Sequence, residues 1–146
     1  MQRSEIARSD VARSDVARWS LIAIAGLMAP AGLQAAFAPR SFFDDFPLGR
    51  GWISAGAATY DEHLVRDVGA LFLALIVVTV WCAWRREAMA AVAVGWLVQG
   101  VLHLGYHVGH LDGLGASDKT GLVVSLVLVP VLALVALWAS MSERRA

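Results

Sequence analysis

Apolar residues run along this chain in long blocks separated by short polar connections. Four blocks approach the roughly 20 consecutive apolar residues with which a helix crosses the hydrocarbon core of a bilayer. They lie at about 19–38, 64–84, 88–108 and 121–140. If these were buried helices of a water-soluble domain, almost no chain would remain to cover them, since the whole sequence is 146 residues. The pattern therefore predicts an all-α, four-helix transmembrane bundle. The expected organisation is a tail over 1–18, a membrane domain over 19–140 and a second short tail over 141–146.

The interruptions carry further information. Pro30 and Pro130 fall near the centres of the first and last blocks, where a proline removes a backbone hydrogen bond and can kink the helix. Two such kinks would open space inside a bundle or be tolerated without a role. The tail, SEIARSDVARSDVAR, is an imperfect five-residue repeat. Five matches neither the helical period nor the heptad, so no continuous apolar stripe forms and a mobile, solvated spacer is expected. The connection PRSFFDDFPLGRGWISAGAATYDEH is long for a structureless loop, and such loops are often functional. It interleaves Phe42, Phe43, Phe46 and Trp52 with Asp44, Asp45 and Arg50, as expected of a segment lying along the interface or capping the bundle.

Composition sharpens this picture. Hydrophobic residues make up 58% of the chain and charged residues 16%, against about 25% charged in ordinary globular domains. Twelve basic and twelve acidic residues cancel, so nothing marks the chain as a nucleic-acid partner. Cys82 is the only cysteine, which excludes an internal disulfide and a thiolate metal cluster. The arginines are unevenly shared between connections. Arg3, Arg8, Arg13, Arg18, Arg85, Arg86, Arg144 and Arg145 fall on one side, whereas the other carries Arg40, Arg50, Arg66 and Lys119 among seven acids. By the positive-inside rule both termini face the cytoplasm, and the expected location is the plasma membrane. Trp19, Trp81, Trp84 and Trp138 would then form a belt at the inner interface. Ala36-Phe37-Ala38 resembles a signal-peptidase site, but Pro39 follows it and the apolar stretch is long, so a retained first span is expected.

Candidate chemistry gathers on the outer side. In VLHLGYHVGHLDG, residues 101–113, His103, His107 and His110 fall within about 60° of one another on a helix. Gln99 lies on the same stripe, one turn deeper, and Tyr106 borders it. The second span begins YDEHLVRD, in which His63 and Asp67 share a face with Tyr60, while Glu62 and Arg66 make an i,i+4 ion pair on another. If the second and third spans are antiparallel neighbours, Asp67 and His103 lie at equal depth. An ionisable side chain in the hydrocarbon costs about 2.5–3.5 kcal/mol on insertion scales, so Asp67 is expected to face the bundle interior and a partner.

Three functional readings follow, beside a structural one. His63, Asp67, His103 and His107 would supply four N/O ligands suited to Zn or Cu(II). Haem between His63 and His103 or His107 would need a deeper slot than these histidines offer. The same groups, with Gln99, Tyr106, His110 and Tyr60 around them, would also suit a small amphiphilic ligand or a proton-transfer site. Alternatively they form a polar interhelical network that fixes register, in a non-catalytic accessory subunit of a larger membrane complex, possible respiratory complexes included, or in a homo-oligomer. Four histidines are too few for a membrane di-iron site, and no hydrolase elbow or phosphate loop is present. No polar stripe runs the full depth of a span, which argues against an autonomous channel.

Through PRSFFDDFP, EHLVRDVG and HLGYHVGHLDG the chain resembles a group of small four-span membrane proteins from actinobacteria and, more loosely, the DoxX-like four-helix membrane proteins. The resemblance covers about a third of the chain and implies a four-helix membrane bundle. It carries no activity over to these residues.

Overall fold

The computed structural model describes residues 2–56 and 59–141, which are helical except at the connections and contain no strand. In chain order the helices are α1 (Gln2–Phe37), α2 (Pro39–Asp45), α3 (Glu62–Arg85), α4 (Met89–Val108) and α5 (Ala116–Met141). A short 3-10 turn occupies Ser54–Gly56. Helices α1, α3, α4 and α5 are each long and apolar enough to cross a membrane, in accord with the four predicted spans. The expected C-terminal tail from 142, with Arg144 and Arg145, lies outside the described residues, as does the side chain of Arg3.

The expected mobile tail is instead part of α1, which runs without a break from Gln2. The repeat lacks an apolar stripe, but its end is tied to the bundle by polar contacts. Arg86 donates from Nη1 to Ser14 Oγ at 3.0 Å and from Nη2 to Asp15 Oδ1 at 2.6 Å. Ala17 is fully buried. The packed domain thus begins inside the segment assigned to the tail.

Local signals set the ends of α3. Asp61 Oδ1 accepts from the Leu64 amide at 3.1 Å, which satisfies one of the free donors of the first turn. At the other end Arg86 is left-handed, with φ 55°, and Ala88 adopts φ 54° before α4 starts. The predicted Glu62–Arg66 pair is present at 2.9 Å, and Arg66 also donates to the Ala36 carbonyl at 2.7 Å.

Helix α1 packs along α3 and α5, and α4 packs along α5. The order around the bundle is therefore α3, α1, α5, α4. Although α3 and α4 are consecutive, they touch far less than α3 touches α1 or α4 touches α5, and the hydrogen bond between them lies in the half nearer their connection. There Trp96, fully buried, donates from Nε1 to Thr79 Oγ1 at 2.7 Å, and the hydroxyl donates onward to the Leu75 carbonyl at 2.6 Å. The main apolar cluster lies in the same half: Leu21 and Ile24 of α1, Ala83 of α3, Met89 and Ala93 of α4, and Ala133 of α5 surround Trp96. The other half is held by close backbone approaches. Gly69 of α3 lies against Ala35 and Ala36, and Gly100 of α4 receives the Pro130 ring. Pro130 therefore fills a notch between α4 and α5; it does not open space there.

At the end opposite the termini, α2 and the following loop form a strap across the bundle. Phe43 of α2 is buried, and Trp52 reaches α5, where its ring lies against Gly121. Trp52 Nε1 and Arg50 Nη1 both donate to Asp118 Oδ1, at 2.9 and 2.5 Å. Gly51 and Gly113 have φ of 62° and 82°, and a side chain at either would also strike backbone, the Asp44 and Ala55 carbonyls respectively. Asp118→Ala leaves the indole and guanidinium without their shared acceptor. The strap is therefore expected to loosen at this corner. Limited proteolysis near the fully exposed Leu48 should become faster while the four long helices keep their circular dichroism; unchanged cleavage would show that Asp118 does not hold the strap.

Candidate functional site

On α4 the buried positions Met89, Val92, Ala93, Trp96 and Gly100 form one stripe. At 100° per residue that stripe continues through His103 and His107. Both histidines are half-buried, as is Gln99. The ladder thus sits on the core-facing side of α4, and α3 packs little on that helix. The two rings stand nearly perpendicular, with centroids 4.6 Å apart. Tyr106 meets His107 edge-on at 5.5 Å and stacks on His110 at 4.2 Å. His110 Nδ1 lies 2.7 Å from the Tyr106 carbonyl. A carbonyl only accepts, so the proton of this exposed imidazole sits on Nδ1.

The α3 residues are placed differently. His63 Nε2 and Asp67 Oδ2 are 3.3 Å apart, with side chains 88% and 58% exposed. The buried Gly69 marks the face that α3 turns to α1. Asp67 is two residues away, hence about 160° round the helix. The expectation that Asp67 faces the bundle interior is corrected: it points away from α3's own packing face. Depth also differs from the expected match. Counting one residue down α3 for each residue up α4 from the Thr79–Trp96 bond brings Phe72 level with His103 and Val68 level with His107. Asp67 comes level with Val108, about 7.5 Å nearer the loop end than His103 at 1.5 Å rise per residue. Tyr60 belongs to neither group, since its ring meets Phe43 at 5.4 Å and lies beneath the Arg40 guanidinium at 4.9 Å.

The structure therefore brings together His63 with Asp67, His103 with His107, and Tyr106 with His110, each pair within one helix. Among the described residues no hydrogen bond, ion pair or ring contact joins the α3 pair to the α4 ladder, and no three His, Cys, Asp or Glu side chains are grouped to hold a metal. What the α4 arrangement offers is two adjacent imidazoles and an amide on a half-covered face, able to donate or accept hydrogen bonds. The strap residues Arg50, Trp52 and Asp118 had no place in the sequence-derived site. The one available signal was an acid at the start of a span, opposite a loop carrying an arginine and a tryptophan. Comparison of the chain with protein-family models, with curated proteins and with solved structures gives no match.

Proposed function

We propose that this is a multi-pass plasma-membrane protein that binds a small amphiphilic ligand, with His103, His107 and Gln99 receiving its polar head. The arginine distribution supports an extracytoplasmic site with both termini cytoplasmic. One observation carries the reading: the half-buried histidines continue the core-facing stripe of α4, while α3 touches α4 little and, among the described residues, makes no hydrogen bond, ion pair or ring contact with them. An acyl chain would lie between α3 and α4, and its head would meet the imidazoles. Tyr106 and His110 border the site nearer the loop end.

A diazirine-bearing long-chain fatty acid, photolysed with the protein in nanodiscs, tests this. Labelling is expected on peptides around Phe72 and His103, and it should fall about tenfold in His103→Leu/His107→Leu, the equivalent of about 1.4 kcal/mol in binding. Equal labelling of the variant would overturn the proposal. Loading the same samples with Zn or Cu separates off the metal-binding form of the site, in which the i,i+4 imidazoles chelate one ion and other ligands complete it. One equivalent bound by the wild type and lost in the double variant would assign the ladder to metal.

A second reading is favoured by the exposed His63–Asp67 pair. Its polar atoms lie on the face of α3 turned away from its own bundle, where a partner helix would cover them. In that case the chain is an accessory subunit of a larger membrane complex or a homo-oligomer, and crosslinking from position 67 would capture the partner.

A further inference from the structure

The end of the bundle that bears the termini holds an arginine, Arg18, whose Nε has no acceptor among the described residues. That Nε is buried, although the side chain as a whole is only partly covered. Among the described residues, the carboxylates beside the α3–α4 connection are already engaged: Asp15 with Arg86 at 2.6 Å, and Glu87 with Arg85 at 3.7 Å. An arginine does not shed its proton to relieve such a position, and a covered donor without an acceptor is costly. The surroundings of Arg18 also suit a membrane interface. Arg18 lies between the buried Ala17 and Leu21 on one side and the exposed Trp19 on the other, and its guanidinium rests over the Trp19 ring at 5.1 Å. Tryptophans with this exposure settle at headgroup depth. A phosphodiester offers paired oxygens that match the fork of an arginine, and basic pockets beside membrane helices take such headgroups.

We propose that Arg18, seated on Trp19 beside the α3–α4 connection, binds the phosphate of an anionic phospholipid. This site lies at the opposite end from the histidine ladder and does not depend on it. The shared chemistry is a phosphate oxyanion, whose source is either a lipid headgroup or free phosphate.

The full chain in nanodiscs of phosphatidylcholine, with or without phosphatidylglycerol, is released for native mass spectrometry and the retained lipids are counted. Phosphatidylglycerol should be retained in preference. Arg18→Gln should lower that retention about fivefold, through loss of the paired guanidinium–phosphate hydrogen bonds. Arg13→Gln is the control, because Arg13 also lies over a tryptophan, Trp138, at 5.7 Å, and it should leave retention nearly unchanged. Full retention in Arg18→Gln, or equal losses in both variants, would overturn the proposal. Inorganic phosphate alone should neither stabilise the protein nor displace the lipid; if it does either, the ligand is free phosphate. Should Arg18→Gln fail to fold, Arg18→Lys keeps the charge but loses the fork, and undiminished retention there would likewise sink the idea.

Discussion

Trp96→Ala is expected to destabilise the bundle by about 3–5 kcal/mol, the range for removing a fully buried large aromatic. Trp96 is the largest side chain with no exposed surface, and residues from all four long helices pack in the cluster around it. Two effects contribute, and their sizes differ. The bond from the indole to Thr79 is an interhelical hydrogen bond in a membrane bundle, and such bonds average about 0.6 kcal/mol. The lost packing and the cavity supply the rest. Trp96→Phe, which keeps most of the volume and loses the bond, should therefore cost much less than Trp96→Ala. Reversible unfolding in mixed micelles measures both. Equal losses for Phe and Ala would show that the hydrogen bond, not the packing, holds α3 to α4. The change has a functional consequence as well. With the two helices untied where they meet, their spacing at the histidine level is no longer set, so labelling by the fatty-acid probe should spread over both helices.

The sequence makes the spans easy to find, because a run of about 20 apolar residues is a property of one helix and needs no knowledge of its neighbours. The same holds for the Glu62–Arg66 pair and for the alignment of His103 with His107, which follow from the helical period alone. The site was read less well because convergence depends on which helices pack and at what register. Consecutive antiparallel spans suggest contact along their whole length, yet α3 gives most of its face to α1, and α4 to α5. Gly69 held the missing signal. This glycine sits where α1 and α3 approach closely, and an acid two residues away cannot share its face. Read with that constraint, Asp67 would have been placed outward. The tail misled for a different reason: its repeat shows no stripe, and the contacts that order its end come from Arg86, 71 residues further along.

The glycine that turns Asp67 outward also gives the sharpest test of the helix order. Gly69→Ala adds a Cβ that would collide with the Ala36 nitrogen and lie 2.8 Å from Ala35 C and Ala36 Cα. All three atoms are backbone, so no side-chain rotation relieves the contact and α1 must move away from α3. Overpacking costs typically about 1–3 kcal/mol and occasionally more; with rigid atoms on the far side, about 3 kcal/mol is expected. Separation also stretches the bond from Arg66 to the Ala36 carbonyl, which removes a second tie at the same end. Gly95 and Gly105 on α4 are the controls, since a Cβ at either meets nothing within 4 Å. Alanine there should stabilise by up to about 1 kcal/mol through its better helix propensity. Thermal unfolding of the three variants in one detergent compares them directly. If Gly69→Ala melts with the two controls, α1 and α3 do not approach as described, and the outward placement of His63 and Asp67 loses its support.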